Sequence, residues 1–379
     1  MTRRLVVLGS TGSIGTQCLD VIRNHPGEFE VVGLSAHSST DQLKKQQQEF
    51  NPELVGVTDE TAAVEDSGWL RGPETLEEIV ALEPDMVVLS VVGSAGLKPC
   101  LKALKNGCRV ALANKEVLVM AGQLVKKVEN NSAGEIIPVD SEHSALYQIL
   151  EGKDSSRVNK MIITASGGPF LDRPVEELSE ITAEQALDHP NWEMGDKITI
   201  DSATMMNKGL EIIEACYLFG LEPAKVQALI HPQSAVHGLV EYVDNSLFTH
   251  CAVPDMRLPI QYALFYPERR PAVIEPLRLD MEFSWDFEPI DVDQFPAYRL
   301  AREALENGKT YPSVLNAANE VAVHAFLEGK IKFTDIARVV EKTLDNHEPV
   351  EPDTLEKILR VDREARRFAG QKIKKVKGV

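Results

Sequence analysis

The first 140 residues alternate short apolar runs with stretches of helical periodicity, and this alternation restricts the fold more than any other feature of the chain. The apolar runs occupy residues 5–8, 30–34, 54–57, 86–89, 109–113 and 135–139. Helix-like stretches between them include residues 41–50, 75–82, 97–106 and 116–130. Repeated β-α alternation predicts an α/β fold with a Rossmann-like, doubly wound parallel sheet, which binds ligands beyond the carboxyl ends of its strands.

The first apolar run ends in the glycine-rich residues 9–15, GSTGSIG, and apolar side chains then recur at helical spacing. A strand, a glycine turn and a helix in this order are typical of a dinucleotide-binding turn, whose backbone N–H groups hold a pyrophosphate. The spacing is G-x-x-G-x-x-G and not G-x-G-x-x-G, so a plain tight turn is an open alternative.

The second apolar run leads into Ala36, His37 and Ser38 without an acidic residue that could bond the ribose 2′-hydroxyl of NAD. This absence leaves room for a 2′-phosphate and favours NADP. A surface loop accounts for the same residues equally well.

Two later apolar runs end in side chains that carry chemistry. Residues 109–113 precede Asn114, Lys115 and Glu116, and residues 135–139 precede Asp140, Ser141 and Glu142. Alternate side chains of an extended segment share one side, so Asp140 and Glu142 can direct two carboxylates to one point, as a hard cation requires. The alternatives are local: Asp140 caps a helix that begins near Glu142, and Lys115 belongs to a routine helix N-terminus.

The second half of the chain contains donors suited to a phosphate. Ser166 begins a Ser-Gly-Gly-Pro turn after the strand-like residues 160–165. Asp201 or Ser202 can cap a helix from which Asn207, Lys208 and Glu211 project on one face. Glu211 would be a third carboxylate, and the serines, Asn207 and Lys208 are donors of the kind that hold a phosphate. A turn and a solvated helix face are the alternatives.

Four further segments have a recognisable character. Residues 186–197 are rich in turn formers, and with His189, Trp192 and Met194 they predict a flap that closes over substrate, or a loop anchored by Trp192. Residues 226–230, 238–243 and 247–252 indicate antiparallel strands, and residues 267–296 are a proline-rich connector. Residues 297–307, 312–327, 334–346 and 354–368 predict a helical bundle, followed by a frayed end at residues 372–377. Asn316 and Asn319 in this bundle either reach the site or pack in the interior.

Composition excludes several classes of protein. The apolar fraction of 43% and charged fraction of 26% are those of an ordinary soluble protein, and no apolar run is long enough to span a membrane. A formal charge of −18 argues against nucleic-acid and anionic-membrane partners. Five widely spaced cysteines and no recognisable signal or transit segment lead us to expect a cytoplasmic protein.

Seven blocks of the sequence together resemble the 1-deoxy-D-xylulose 5-phosphate reductoisomerases of the non-mevalonate isoprenoid pathway. They are residues 9–15 (GSTGSIG), 113–116 (ANKE), 139–145 (VDSEHSA), 164–170 (TASGGPF), 189–195 (HPNWEMG), 201–211 (DSATMMNKGLE) and 254–257 (PDMR). The resemblance implies a homodimer, formed largely through its central domain, and three domains in each chain. These would be an NADPH domain (residues 1–150), a central α+β catalytic domain (151–266), and, after a linker (267–296), a C-terminal helical domain (297–379).

The resemblance also implies roles for individual residues. Asp140, Glu142 and Glu211 would bind one Mg²⁺ or Mn²⁺. The sugar-phosphate substrate would contact Lys115, Ser141, Glu142, Ser166, His189, Trp192, Ser202, Asn207, Lys208 and Glu211. Lys115 and His189 would take part in catalysis together with the three metal ligands. NADPH would contact Thr11, Gly12, Ser13, Ile14, Ala36, His37, Ser38, Asn114, Glu116 and Gly195. Some relatives have a lysine at the position of His37, which leaves the strength of NADPH preference open.

The implied reaction is rearrangement and NADPH-dependent reduction of 1-deoxy-D-xylulose 5-phosphate to 2-C-methyl-D-erythritol 4-phosphate. One alternative is an NADP-dependent dehydrogenase that acts on another small phosphorylated substrate without rearrangement. The other is a nucleotide-sensing protein without catalysis.

Overall fold

The computed structural model describes residues 2–64, 68–188, 194–280 and 282–376. The chain forms two compact units. The first unit comprises Met1–Val117, Val125–Tyr147 and Asp255–Pro276, and the second comprises Leu118–Leu124, Gln148–Pro254 and Leu277–Val379. The sequence-based domain limits stay a prediction; in the structure, Asp255–Pro276 packs with the first unit, whereas Leu118–Leu124 and residues 148–150 pack with the second.

The first unit contains a parallel seven-stranded sheet. Its strands are β1 (Arg3–Leu8), β2 (Phe29–Ala36), β3 (Leu54–Val57), β4 (Leu70–Arg71), β5 (Met86–Leu89), β6 (Arg109–Leu112) and β7 (Glu135–Pro138). They lie in the order β4-β3-β2-β1-β5-β6-β7, and every pairing is parallel. The order reverses between β1 and β5, which confirms the predicted doubly wound sheet and makes the carboxyl ends near β1 the expected ligand crevice.

Helices connect these strands. They are α1 (Ser13–Arg23), α2 (Thr40–Phe50), α3 (Thr75–Val80), α4 (Leu97–Lys105), α5 (Glu116–Asn130) and α6 (Ser141–Leu150), and α10 (Arg257–Phe265) joins them from later in the chain. Helix α10 packs on α1, and at the end of α10 the Phe265 ring meets Phe29 of β2 edge-on and lies under the guanidinium of Arg3 in β1. These buried contacts explain why residues 255–276, which the prediction divided between the central domain and the linker, pack with the first unit.

The second unit contains a mixed five-stranded sheet. Its strands are β8 (Val158–Ala165), β9 (Val226–Ile230), β10 (Val236–Tyr242), β11 (Leu247–Cys251) and β12 (Glu288–Pro289), in the order β11-β10-β8-β9-β12. The predicted antiparallel pairing is confirmed for β10 with β11, and β9 pairs antiparallel with β12 but parallel with β8. The long helical connection between β8 and β9 permits the crossover that parallel pairing requires.

Helices α7 (Ala183–Leu187), α8 (Asp196–Ala203) and α9 (Met206–Phe219) follow β8, and α11 (Pro296–Asn307), α12 (Tyr311–Leu327), α13 (Asp335–Asp345) and α14 (Leu355–Val376) form the predicted bundle. The frayed end predicted for residues 372–377 is wrong for residues 372–376, because α14 continues to Val376, and residue 377 lies outside the described residues. Ala365, Ala369 and Ile373 extend its buried face at a spacing of four residues. Within the described ranges, no helix combines the length and apolar character that a membrane crossing requires.

Candidate active site

The glycine turn of the first unit joins β1 to the N-terminus of α1 and leaves little room for side chains. Gly9 has a φ of +85°, and its carbonyl accepts a hydrogen bond from the Gly12 N–H at 3.1 Å. A Cβ atom on Gly15 would lie 2.2 Å from the Gly9 oxygen, so only glycine permits this approach of helix to strand. Thr11, Gly12, Ser13 and Ile14 therefore lie at a helix N-terminus whose first N–H groups can bind a phosphate.

The end of β2 presents His37 and Ser38 at the surface, while Ala36 is buried. The His37 Nδ1 lies 2.8 Å from Thr58 Oγ1, just beyond the end of the adjacent strand β3. The nearby Asp59 carboxylate accepts hydrogen bonds from the Thr61 hydroxyl and N–H at 2.7 and 2.8 Å, which hold the pKa of Asp59 below its usual value. The arrangement is compatible with a 2′-phosphate at His37, and the assignment stays a prediction.

Asn114, at the end of β6, is engaged on both sides of its amide. Its Nδ2 donates to the carbonyls of Val91 and Gly93 at 2.6 and 2.9 Å, and its Oδ1 accepts from the Val117 N–H at 2.9 Å. The side chain thus joins the loop after β5 to the first turn of α5. Through these hydrogen bonds, the Asn114 amide shapes the crevice beside the sheet.

The lysine and the two carboxylates of the first unit lie at the ends of neighbouring strands β6 and β7. Lys115 Nζ lies 3.1 Å from Asp140 Oδ2, and both side chains are largely buried. Carboxylate oxygens of Asp140 and Glu142 approach within 4.8 Å of each other, and Ser141 Oγ donates to Glu142 Oε2 at 2.7 Å. The sequence-based expectation that the two carboxylates share one side is met within this unit.

Asp140 also caps α6, so the two readings of this residue hold together. Its Oδ1 accepts from the N–H groups of Glu142 and His143 at 3.1 and 3.3 Å. The His143 ring, which is fully buried, places Nδ1 2.9 Å from the same oxygen. Sequence analysis assigned no role to His143, although its position three residues after the capping aspartate was a usable signal. The histidine fixes the carboxylate through a contact that the sequence alone does not show.

In the second unit, the turn after β8 packs closely against the end of α8. Gly167 and Gly168 have φ angles of +91° and +68°. A Cβ atom on Gly168 would lie 2.9 Å from the Ser202 carbonyl oxygen. The Ser166 hydroxyl lies on this turn, 3.4 Å from the Gly168 N–H. Ser166 and Ser202 therefore belong to two segments in direct contact.

The helix carrying Asn207, Lys208 and Glu211 begins differently from the prediction. Asp201 and Ser202 do not cap it, because they are the last turn of α8, and the chain reverses at Met205, which has a φ of +59°. Lys208 is 5% exposed and forms an ion pair with Glu211, which is 1% exposed. Asn207 Nδ2 donates to Glu211 Oε1 at 2.5 Å. This face of α9 is buried and charged, and the alternative of a solvated face is excluded.

The flap predicted for residues 186–197 lies partly outside the described residues, and so do the candidate site residues His189 and Trp192. Met194 is half-buried. Gly195 is exposed and immediately precedes α8. Within the described ranges, a Cβ atom on Gly195 would meet nothing within 4 Å. Its predicted proximity to the nicotinamide stays a prediction.

Three family models cover nearly the whole chain. Residues 5–122 match the model of 1-deoxy-D-xylulose 5-phosphate reductoisomerase, residues 136–219 match the model of its C-terminal domain, and residues 251–368 match a further DXP reductoisomerase C-terminal domain model. Curated relatives named 1-deoxy-D-xylulose 5-phosphate reductoisomerase also match the chain over almost its full length. The protein from Chlorobium phaeobacteroides is 51% identical over 97% of this chain and 98% of its own length, and that from Geotalea uraniireducens is 48% identical over 100% and 99%.

Solved structures of reductoisomerases are also similar to the chain over almost its full length. A DOX-P reductoisomerase crystallised with NADPH, fosmidomycin and magnesium has a TM-score of 0.93 and 42% identity, over 98% of each chain. The 1-deoxy-D-xylulose 5-phosphate reductoisomerase from Zymomonas mobilis in complex with NADPH has a TM-score of 0.90 and 40% identity, over 98% of this chain and 99% of its own.

Proposed function

The chain belongs to the 1-deoxy-D-xylulose 5-phosphate reductoisomerase family, a family of NADPH-dependent enzymes, and from that premise we propose the reaction, the metal and the residues that it uses. The reaction is the rearrangement of 1-deoxy-D-xylulose 5-phosphate and its reduction to 2-C-methyl-D-erythritol 4-phosphate in isoprenoid precursor biosynthesis. The observation that carries the proposal is the group formed by Lys115, Asp140 and Glu142 at the ends of β6 and β7 in a chain of this family.

The cofactor assignment follows the shape of the first unit. The turn at Thr11, Gly12, Ser13 and Ile14 would hold the pyrophosphate of NADPH, and Ala36, His37 and Ser38 would lie near its 2′-phosphate. Asn114, Glu116 and Gly195 would lie nearer the nicotinamide. The relatives crystallised with NADPH support this choice of dinucleotide.

The donor set fits one hard divalent cation. Asp140 and Glu142 supply neighbouring carboxylate oxygens, and Glu211 would be the third ligand. Oxygen ligands of this kind suit Mg²⁺ or Mn²⁺ and not a soft metal. When bound, the cation polarises the carbonyl and hydroxyl oxygens of the ketose phosphate, and NADPH supplies the hydride that reduces the rearranged aldehyde.

The protein side chains bind and orient the substrate. Ser166, Ser202, Asn207 and Lys208 would hold the phosphate, since they combine hydroxyl, amide and ammonium donors. Lys115 would donate to the carbonyl end, where its position beside Asp140 keeps a positive charge next to the oxyanion that develops during retro-aldol cleavage and aldol rejoining. Ser141 would bond a substrate hydroxyl. His189, Trp192 and Met194 would close over the bound substrate and exclude water.

The direct test is the loss of NADPH absorbance in the presence of 1-deoxy-D-xylulose 5-phosphate and Mg²⁺, with and without EDTA. We expect oxidation that EDTA abolishes, and NMR analysis should identify the branched product. An NADP-dependent dehydrogenase would oxidise NADPH without giving a branched carbon skeleton. A nucleotide-sensing protein would bind NADPH without oxidising it, and either result would contradict the proposal.

The metal assignment has its own variant. Glu211→Gln removes the charge of the third carboxylate at nearly constant volume, so we expect turnover to fall by about two orders of magnitude or more while NADPH binding is retained. Asp362→Asn is the matched control, because Asp362 is also a buried carboxylate of the second unit, and it is paired with Arg366. Equal activity of the two variants would refute the role of Glu211.

We also propose that two copies associate as a homodimer and that the protein acts in the cytoplasm. A homodimer predicts a solution mass of twice the chain's 41.9 kDa by light scattering. A mass equal to one chain under assay conditions would contradict it.

A further inference from the structure

Helix α12 carries a buried asparagine that holds the end of α8. Asn319 is fully buried, and its Nδ2 donates to Asp201 Oδ1 at 2.7 Å. The other carboxylate oxygen, Oδ2, lies 2.8 Å from Lys197 Nζ, one turn earlier in α8. All three residues belong to the second unit. One carboxylate thus joins two turns of α8 to a helix more than a hundred residues away in sequence.

This arrangement is unfavourable by local criteria. Asp201 is 1% exposed and lies in the last turn of α8, where the helix dipole disfavours a negative charge. The Asn319 Oδ1 is buried and has no hydrogen-bond partner among the described residues. A buried charge and an unsatisfied amide oxygen both cost stability, so the contact is better explained by the geometry that it fixes.

The geometry in question is that of the proposed phosphate site. Ser202 directly follows Asp201, and its carbonyl is the atom that Gly168 approaches from the turn of Ser166. On the other side, the Thr204 hydroxyl donates to the Asp201 carbonyl at 3.2 Å, and the left-handed Met205 leads into Asn207 and Lys208. A shift at Asp201 would therefore be transmitted to both neighbouring segments.

We propose that Asn319 is a positioning residue for the substrate phosphate: by holding Asp201 it fixes the end of α8 and so the hydroxyl of Ser202. The inference rests on the proposed function, because it requires Ser202 to bind the phosphate. It gives a role to Asn319, which acts through Asp201.

The chain offers a matched control for the test. Asn316 lies on the same helix, is fully buried, donates from Nδ2 to a carboxylate (Glu320, at 2.9 Å) and has a buried Oδ1 without a partner among the described residues. It differs from Asn319 in holding α12's own Glu320 and not α8. Asn316→Ala and Asn319→Ala should therefore destabilise the protein similarly, and the Asn316 variant should keep the wild-type KM.

We expect Asn319→Ala to raise the KM for 1-deoxy-D-xylulose 5-phosphate and the inhibition constant of inorganic phosphate by about tenfold each. The KM for NADPH should be unchanged, and kcat should fall by less than about threefold. Inorganic phosphate is the informative probe, because it occupies the phosphate site alone. A loss confined to thermal stability, equal to that of Asn316→Ala, would overturn the inference.

Two further variants keep the test decisive. Asn319→Asp preserves the side-chain volume but places a second carboxylate against that of Asp201, so phosphate affinity should fall. Adding Asp201→Asn restores one donor and one acceptor at this contact. The double variant should recover most of the phosphate affinity that Asn319→Asp alone loses. Ser202→Ala tests the premise. If it leaves both constants unchanged, the phosphate assignment of the proposed function is wrong, and this inference fails with it. If Ser202→Ala raises them but Asn319→Ala does not, the inference alone is wrong.

Discussion

At the scale of single residues, burial decides how His237 of the second unit titrates. His237 is almost fully buried, and its ring Nε2 lies 3.2 Å from the Ala252 carbonyl oxygen. The pKa of His237 falls from 6.5 to about 4, chiefly because of burial. Neighbouring cationic groups contribute in the same direction, and the hydrogen bond with the Ala252 carbonyl opposes the shift. The folded protein consequently keeps this imidazole neutral at any pH near neutrality.

This titration makes stability depend on pH in a predictable direction. As the pH falls below 6.5, the unfolded chain binds a proton that the folded chain rejects until about pH 4, so stability is lost across that interval. We expect the free energy of unfolding to fall by about 2 kcal/mol between about pH 7.5 and about pH 5 from this residue. Urea unfolding at both pH values measures the change.

The variant His237→Gln isolates this contribution. His347 also has a lowered pKa because it is half-buried, so the wild-type protein loses more stability than His237 alone explains. Subtracting the stability loss of His237→Gln from that of the wild-type protein removes the contribution of His347. If the two proteins lose the same stability on acidification, the prediction is refuted.

At the scale of elements, the contact between the turn after β8 and the end of α8 requires a glycine at position 168. The backbone φ is positive there, and a side chain would meet α8. Gly168→Ala would place a Cβ atom 2.9 Å from the Ser202 carbonyl oxygen. We expect the KM for substrate to rise by about tenfold, because displacement of Ser202 or Ser166 weakens phosphate binding. Steady-state kinetics with varied substrate measures the effect.

The control for this variant is Gly152→Ala. Gly152 has the same φ of +68°, but a Cβ atom there would meet nothing within 4 Å among the described residues. Both substitutions incur the left-handed strain of about 1 kcal/mol, whereas the clash with Ser202 is specific to Gly168. A similar KM in the two variants would show that strain alone accounts for the result.

Local patterns were sufficient to predict the elements whose signals are local. The alternation of apolar runs, the glycine turn at residues 9–15 and the carboxylates after β7 all depend on neighbours in sequence, and the structure has them where the sequence indicated. The parallel pairing of β9 with β8 was not predicted, because it depends on a crossover some sixty residues long between the two strands. The break between α8 and α9 was misplaced because a methionine, at position 205, adopts a conformation that normally indicates glycine.

Side-chain partners were harder to predict than elements. Asn114 has the position expected of a cofactor contact, yet its amide is engaged with the backbone of the first unit. His143 was overlooked although it touches Asp140. Asn319 could not be linked to Asp201, since the two residues are 118 positions apart in sequence. A long-range partner such as Asp201 follows from tertiary packing and leaves no pattern in the sequence, whereas the partner of His143 lies only three residues away.

At the scale of the whole molecule, the five cysteines can report on the integrity of each unit. Cys18, Cys100 and Cys108 are buried in the first unit and Cys216 in the second, whereas Cys251 is half-buried. Burial raises the pKa of Cys18, Cys100 and Cys216 to about 12 and that of Cys108 to about 11. The reactive thiolate is therefore scarce at these four positions as well as inaccessible.

We expect an aromatic disulfide reagent at about pH 8 to modify no more than one thiol in the native protein and all five in guanidinium chloride. The native reaction should disappear in Cys251→Ser, after which any thiol that reacts reports the opening of a unit.

Because NADPH is proposed to bind the first unit, adding it should slow modification of Cys18, Cys100 and Cys108 in mild denaturant, and that of Cys216 less. Fast modification of two or more thiols in the native protein would show that burial does not protect them. Equal protection of the four buried thiols by NADPH in mild denaturant would show that the two units open together.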